Sequence, residues 1–175
     1  MNASVKPTKV KMQAKARAVA KLQDATVLLR ADHTLVAGLF AQYAKTQSNL
    51  KKQRLVAQIC TELSVHAQVE EELFYPAVKA ALKDKLLVPE ATVEHASLKA
   101  LIAEVEGVAP GSEMFDARIK VLGEYVKHHV KEEQTQMFPK ARAATLDLLE
   151  LGSAIATRKQ ALLEARAKGD KQYSA

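Results

Sequence analysis

The segment from His33 to Pro76 can be laid over the segment from His95 to Pro139 with its chemistry-bearing residues in register. Each copy opens on an acidic residue followed by histidine, Asp32-His33 and Glu94-His95. A second histidine follows 33 positions after His33, at His66, and 34 positions after His95, at His129. A glutamate stands four positions later in both copies, Glu70 and Glu133, and an aromatic-Pro pair begins nine positions after the histidine, Tyr75-Pro76 and Phe138-Pro139. A match of this length is one supersecondary unit used twice.

The residues between these landmarks say which unit it is. Only six glycines and five prolines punctuate 175 residues, and Ala, Leu, Lys, Glu and Gln, which lose little side-chain freedom in a helix, dominate the rest. The class is all-α, and a chain this long with 48% hydrophobic and 26% charged residues folds around one core. Asp24 is a plausible N-cap for a first core helix whose apolar residues Val27, Leu28, Val36, Leu39, Phe40 and Tyr43 recur at helical spacing to about Lys45. After a polar break at Thr46 to Asn49, a second helix carries Leu55, Ile59, Leu63 and Phe74, and Pro76 marks a bend or its end. A third is expected from about Pro89 to Gly107, and a fourth opens after Pro110-Gly111-Ser112 and reaches Pro139. Leu146, Leu149, Ile155, Leu162 and Leu163 predict a fifth helix packed on the others. Each repeat is thus a helical hairpin, and two hairpins make a four-helix bundle.

Four residues along an α-helix turn the direction by about 40° and advance about 6 Å, so His66 and Glu70 share a face, as do His129 and Glu133. His33 and His95 lie among apolar neighbours on the other helix of each hairpin, which lets all six side chains converge if the hairpins pack face to face. Imidazole and carboxylate together suit iron, manganese or zinc, whereas calcium and magnesium prefer oxygen alone. Two bridging glutamates and four terminal histidines would hold two cations and leave positions open for water, dioxygen or peroxide. Histidines and glutamates inside an apolar bundle cost several kcal/mol unless such partners meet their charge and hydrogen-bonding needs. Tyr125 and Glu62, four positions before His129 and His66, are candidates for orienting a ligand or reaching a metal, with core packing and solvent as the plainer expectations. His128, the fifth histidine, is expected at the bundle edge, and Cys60 is expected to pack.

These residues, Asp32-His33, His66-x-x-x-Glu70 with Tyr75-Pro76, Glu94-His95, and His129-x-x-x-Glu133 with Phe138-Pro139, resemble the hemerythrin-like proteins with an HHE cation-binding domain. The resemblance covers about residues 24 to 140 and implies an up-down-up-down bundle with a non-haem di-iron centre of two iron ions. It implies a domain at 24–165 that includes the closing helix, after a basic arm at 1–23 and before a polar tail at 166–175. Hemerythrins proper supply a further histidine four residues from the first on the third helix; Ala91 and Lys99 stand at that spacing here. Another carboxylate, Tyr125, His128 or solvent is then expected in its place. The altered shell weighs against simple reversible dioxygen carriage and leaves sensing of iron, dioxygen or nitric oxide, and catalase-like decomposition of peroxide by redox cycling, as family-level possibilities.

The formal charge of +6 is concentrated in the first 23 residues, where Lys6, Lys9, Lys11, Lys15, Arg17 and Lys21 meet no acidic residue. A solvated, partly helical arm is the plainer expectation, and contact with nucleic acid or an anionic surface the sharper one. One cysteine excludes an internal disulfide, and no run approaches the roughly 20 apolar residues of a membrane span, so the expectation is a cytoplasmic protein.

Overall fold

A computed structural model describes residues 23–108 and 110–172. Helix α1 (Ala25–Lys45) starts where Asp24 accepts a hydrogen bond from the Thr26 amide at 2.7 Å and ends at an extended Thr46. Helix α2 (Asn49–Val69) is capped by Ser48. It passes without a break into one wide π-helical turn, Glu70–Phe74, and then into α3 (Tyr75–Ala81). Helix α4 (Leu87–Glu106) carries Pro89 in its first turn and stops at Gly107. The turn to the next helix uses Gly111 at φ +88°, a backbone conformation that side chains other than glycine resist. Helix α5 (Glu113–Glu132), capped by Ser112, repeats the earlier pattern: a π turn at Glu133–Met137, then α6 (Phe138–Ala143).

Both π turns begin on the repeat glutamate and end before the aromatic-Pro pair. A proline ring in a regular helix clashes with the carbonyl four residues back. The extra residue in the turn opens that space, so Pro76 and Pro139 continue the helices that the sequence alone would bend or end.

The long helices α1, α2, α4 and α5 form the expected four-helix bundle, α1 packed along α2 and α4 along α5. Helix α7 (Leu148–Gln172) is the fifth helix and lies against α1 and α2. It runs through most of the segment read as a polar tail, while residues 1–22 of the basic arm expected at 1–23 lie outside the described residues. Two apolar clusters fill the bundle. One gathers Val36, Leu39, Ile59, Leu63, Leu98 and Leu122. The other gathers Leu29, Phe74, Val78, Ala91, Met137 and Ile155. Each fully buried large side chain contributes roughly 1.5–3 kcal/mol. Along every long helix the repeat residue falls between the two: His33 between Leu29 and Val36, His66 between Leu63 and Phe74, His95 between Ala91 and Leu98, His129 between Val126 and Met137. The bundle therefore sandwiches one polar layer between two dry ones. Among the described residues no helix is long and apolar enough to cross a membrane.

Candidate metal centre

The layer is made of the six residues expected from the repeat, and all six are buried. Nε2 of His33 lies 3.0 Å from Nε2 of His66, and Nε2 of His95 lies 3.1 Å from Nε2 of His129. The glutamates stand between these two pairs. Glu70 Oε2 is 3.2 Å from His66 Nε2 and 3.4 Å from His95 Nε2. Glu133 Oε2 is 3.3 Å from His33 Nε2 and 3.7 Å from His129 Nε2. Each carboxylate thus faces one histidine of each hairpin, which the four-residue clamp within a helix accomplishes for one partner and the face-to-face packing for the other. Ligand atoms of His33, His66, Glu70 and Glu133 form one group within 4.8 Å, and those of Glu70, His95 and His129 a second.

Inside this cage Glu70 Oε1, Glu70 Oε2 and Glu133 Oε2 are buried without a hydrogen-bond partner. Unpartnered buried carboxylate oxygens cost several kcal/mol each, and cations are the partners that oxygens and imidazole nitrogens have in common. The titration of the groups reports the same tension. Burial, and then the charge of Glu133, push the Glu70 carboxyl well above its ordinary range. Burial works against Glu133 too, but His33, His129 and His66 around it hold it down to about 2. Burial pushes His33 down, and burial together with His129 takes His95 down to about 4. Four imidazoles with Nε2 turned inward, beside two buried carboxylates, are a donor set that fits divalent metals.

The sequence reading missed Tyr75 as a member of this set. Its hydroxyl donates to Glu133 Oε1 at 2.9 Å and lies 2.9 Å from His95 Nε2. Its repeat equivalent, Phe138, stacks on His33 with an interplanar angle of 2°. The two aromatics occupy matching places, and the difference between them is one hydroxyl on the His95–His129 side. That tyrosine-for-phenylalanine exchange inside an otherwise matched repeat was the readable signal.

Outside the cage, carboxylates orient the rings. His66 Nδ1 faces Asp32 Oδ2 at 3.4 Å, His129 Nδ1 faces Glu94 Oε2 at 2.6 Å, and His95 Nδ1 faces Glu71 Oε1 at 3.1 Å. Such partners fix the tautomer that leaves Nε2 free. His33 differs: its Nδ1 meets the side-chain amide of Gln134 at 3.0 Å, which Arg30 grips through its oxygen at 3.1 Å. Burial would raise Asp32, but hydrogen bonds from His66 and Lys159 outweigh it and hold the carboxyl below its ordinary range.

The remaining sequence candidates lie elsewhere. Tyr125 packs against the apolar cluster around Leu122. Glu62 lies 3.6 Å from the Lys159 ammonium. His128 is exposed at the bundle edge, 3.7 Å from Glu94 and 3.6 Å from Glu132. Cys60 is buried in the core. On the apolar side of the four imidazoles a cavity of about 20 Å³ is lined by Val36, Leu63, Leu98 and Ile102. About one water-sized volume is needed to hold a small molecule, so this space admits a diatomic and little more.

A family model described as the hemerythrin HHE cation binding domain matches residues 24–141. A DNA nickase of Nostoc sp. is 29% identical over 115 residues, which is 66% of this chain and 32% of that protein, so the chain spans about a third of the relative's length. The crystal structure of a hemerythrin HHE cation binding domain-containing protein from Mycobacterium kansasii aligns with a TM-score of 0.72 at 21% identity, over 82% of this chain and 89% of that one. At that identity the likeness is one of fold.

Proposed function

Because the chain belongs to the hemerythrin HHE cation-binding family, we propose that it is a non-haem di-iron protein that binds, senses or reacts with dioxygen, hydrogen peroxide or nitric oxide. The observation that carries the reading is the set of three unpartnered carboxylate oxygens inside a ring of four inward-facing imidazole nitrogens. In this reading His33 and His66 would hold one iron and His95 and His129 the other, with Glu70 and Glu133 as the carboxylates available to both. Tyr75, within 2.9 Å of both His95 Nε2 and Glu133 Oε1, would take the place of a fifth histidine. When bound, the irons supply redox electrons and exchangeable coordination positions. The chain's own contribution is to hold each imidazole by its Nδ1, to keep bulk water out with two apolar clusters, and to admit by size. The small cavity beside the imidazoles favours a diatomic or peroxide ligand over an organic substrate. A single buried thiol suits the reducing cytoplasm, where we place the protein.

The test is metal content per chain after production in iron-supplied cells, followed on the same sample by an optical spectrum before and after peroxide. About two irons with a peroxide-responsive charge-transfer band is the expected result for a bundle-core di-iron site. Zinc alone, or no metal after anaerobic reconstitution with ferrous ion, sinks the proposal.

A second reading rests on a separate observation. Residues 1–23 carry six basic and no acidic side chains, and the Nostoc relative is named for an action on DNA. A metal-stabilised module whose basic arm engages a polyanion would bind nucleic acid with an affinity that falls steeply with salt. Binding that survives deletion of residues 1–23, or is indifferent to salt, rules it out.

A further inference from the structure

A second, larger opening lies beside the cage. Between α1 and α5 runs a solvent-open groove of about 590 Å³ whose lining includes Lys52, Asp116, Lys120, Glu124 and His33. Gly123 forms part of one wall, facing Phe40 on the other. A Cβ added to Gly123 would meet the Phe40 ring carbons at 3.3 Å, so the ring rests directly against bare helix backbone. The groove and the small cavity beside the imidazoles share three wall residues, His33, Val126 and Val130. These three side chains therefore border both the groove and the space next to the four Nε2 atoms.

We infer that the α1–α5 groove is the access route by which small uncharged ligands reach the buried cage, with Val126 and Val130 as the partition that sets their size. The inference rests on the proposed small-ligand chemistry of the site. Both valines sit within α5, where β-branched side chains are stiff about χ1. Passage therefore needs a brief outward displacement of these side chains, which a diatomic such as nitric oxide or dioxygen requires least of. A rival groove of about 560 Å³ lies against α4, lined by Tyr75, Val88, Thr92 and Ala96. It shares with the cavity only Lys99, whose ammonium is tied to Glu71 at 2.6 Å. On that side the approach to the cage is through Lys99 and the Tyr75 hydroxyl, which is hydrogen-bonded to Glu133. Val126 and Val130 give the α1–α5 side two apolar wall residues, and that difference decides between them.

The experiment is stopped-flow association of nitric oxide with the iron-loaded protein and three variants. Ala37→Phe fills the α1–α5 groove, Phe40→Ala widens it, and Ala96→Phe fills the rival groove. A37F is expected to slow association and dissociation together by tenfold or more at unchanged equilibrium affinity. F40A should speed both, and A96F should leave both alone. Unchanged rates in A37F, or slowing in A96F instead, overturn the route. The route also has a readout that needs no reaction at the metal: crystals under xenon pressure should show xenon in the groove and the cavity, and in A37F in neither. If the wild-type protein takes up no nitric oxide, the proposed function fails while the xenon maps still decide the route. Absence of xenon from the wild-type groove and cavity refutes it.

Discussion

The Lys159 ammonium on α7 stands 2.5 Å from Asp32 Oδ1, while the other oxygen of Asp32 faces Nδ1 of His66. Lys159 lies beyond residues 24–141, the stretch that the family model matches, so the fifth helix reaches the cage through a residue outside that stretch. Glu62 crowds the same ammonium at 3.6 Å.

Lys159→Met should therefore loosen one half of the centre. Burial of Asp32 is then opposed by His66 alone, its carboxyl titrates upward, and the His66 ring loses its fixed tautomer. Loss of an orienting partner of this kind typically weakens metal binding about 10- to 100-fold. Release of metal to a chelator should become biphasic, one ion leaving faster and the other at the wild-type rate, and Lys159→Arg should restore a single slow phase. Equal release of both ions from K159M argues that Lys159 serves only to dock α7.

Tyr75→Phe makes the two halves of the repeat alike at the position that Phe138 occupies in the other copy. If the phenol is a ligand of the His95–His129 iron, oxidised Y75F should lose the visible phenolate-to-iron charge-transfer band while keeping about two irons, the number expected for a bundle-core di-iron site. Without a metal the hydroxyl is held protonated, because burial and then the charges of Glu70 and Glu133 push it well above its ordinary range. A band unchanged in Y75F removes the tyrosine from the coordination shell.

Glu70 sets opposite signs for the metal-free and metal-loaded proteins. In the metal-free fold its carboxyl is raised well above the unfolded value of 4.5 by burial and by Glu133. As pH rises past that value the unfolded chain gives up its proton and the folded chain keeps it, so this group's contribution to stability falls toward alkaline pH. Glu70→Gln removes the penalty. Metal-free E70Q should resist denaturant better than the metal-free parent at pH 8, with the gain shrinking toward pH 5, and it should fail to hold the metals. Burial-depressed His95, at about 4, works the other way: its contribution is lost as pH falls from the ordinary histidine range toward that value, and E70Q should leave this acid limb in place. An alkaline limb of unchanged slope in E70Q would show that Glu70 ionises freely in the fold.

Much of this architecture is legible before any coordinates are seen, for identifiable reasons. Asp24 and Ser112 announce their helices because a short side-chain acceptor before an apolar period satisfies orphan amides wherever it occurs. The six cage residues are visible because the repeat fixes their spacing twice. The π turns at Glu70–Phe74 and Glu133–Met137 are not visible, since one extra residue in a turn leaves no trace in helix propensity; only Pro76 and Pro139, mid-helix where proline should not be, hint at them. The outer partners are unreadable for a different reason. Asp32 and Lys159 are 127 positions apart, and a contact made by the docking angle of α7 has no local signature.

Two glycines in helices test that docking angle. Gly38 in α1 has nothing within 4 Å of where a Cβ would stand, whereas a Cβ on Gly152 in α7 would fall 2.0 Å from the Gln23 carbonyl oxygen and 3.0 Å from the Ala25 amide nitrogen. Alanine is worth up to about 1 kcal/mol over glycine inside a helix, so Gly38→Ala should raise the unfolding free energy by that order. At Gly152 the same gain is overrun, because backbone rather than a flexible side chain blocks the new methyl group and overpacking of this kind costs about 1–3 kcal/mol. Gly152→Ala should lower stability and, by lifting α7 away from the start of α1, also quicken metal release as K159M does. Denaturant midpoints that move in opposite directions for the two variants support the close seat of α7; midpoints that both rise would mean that α7 does not rest on Gln23.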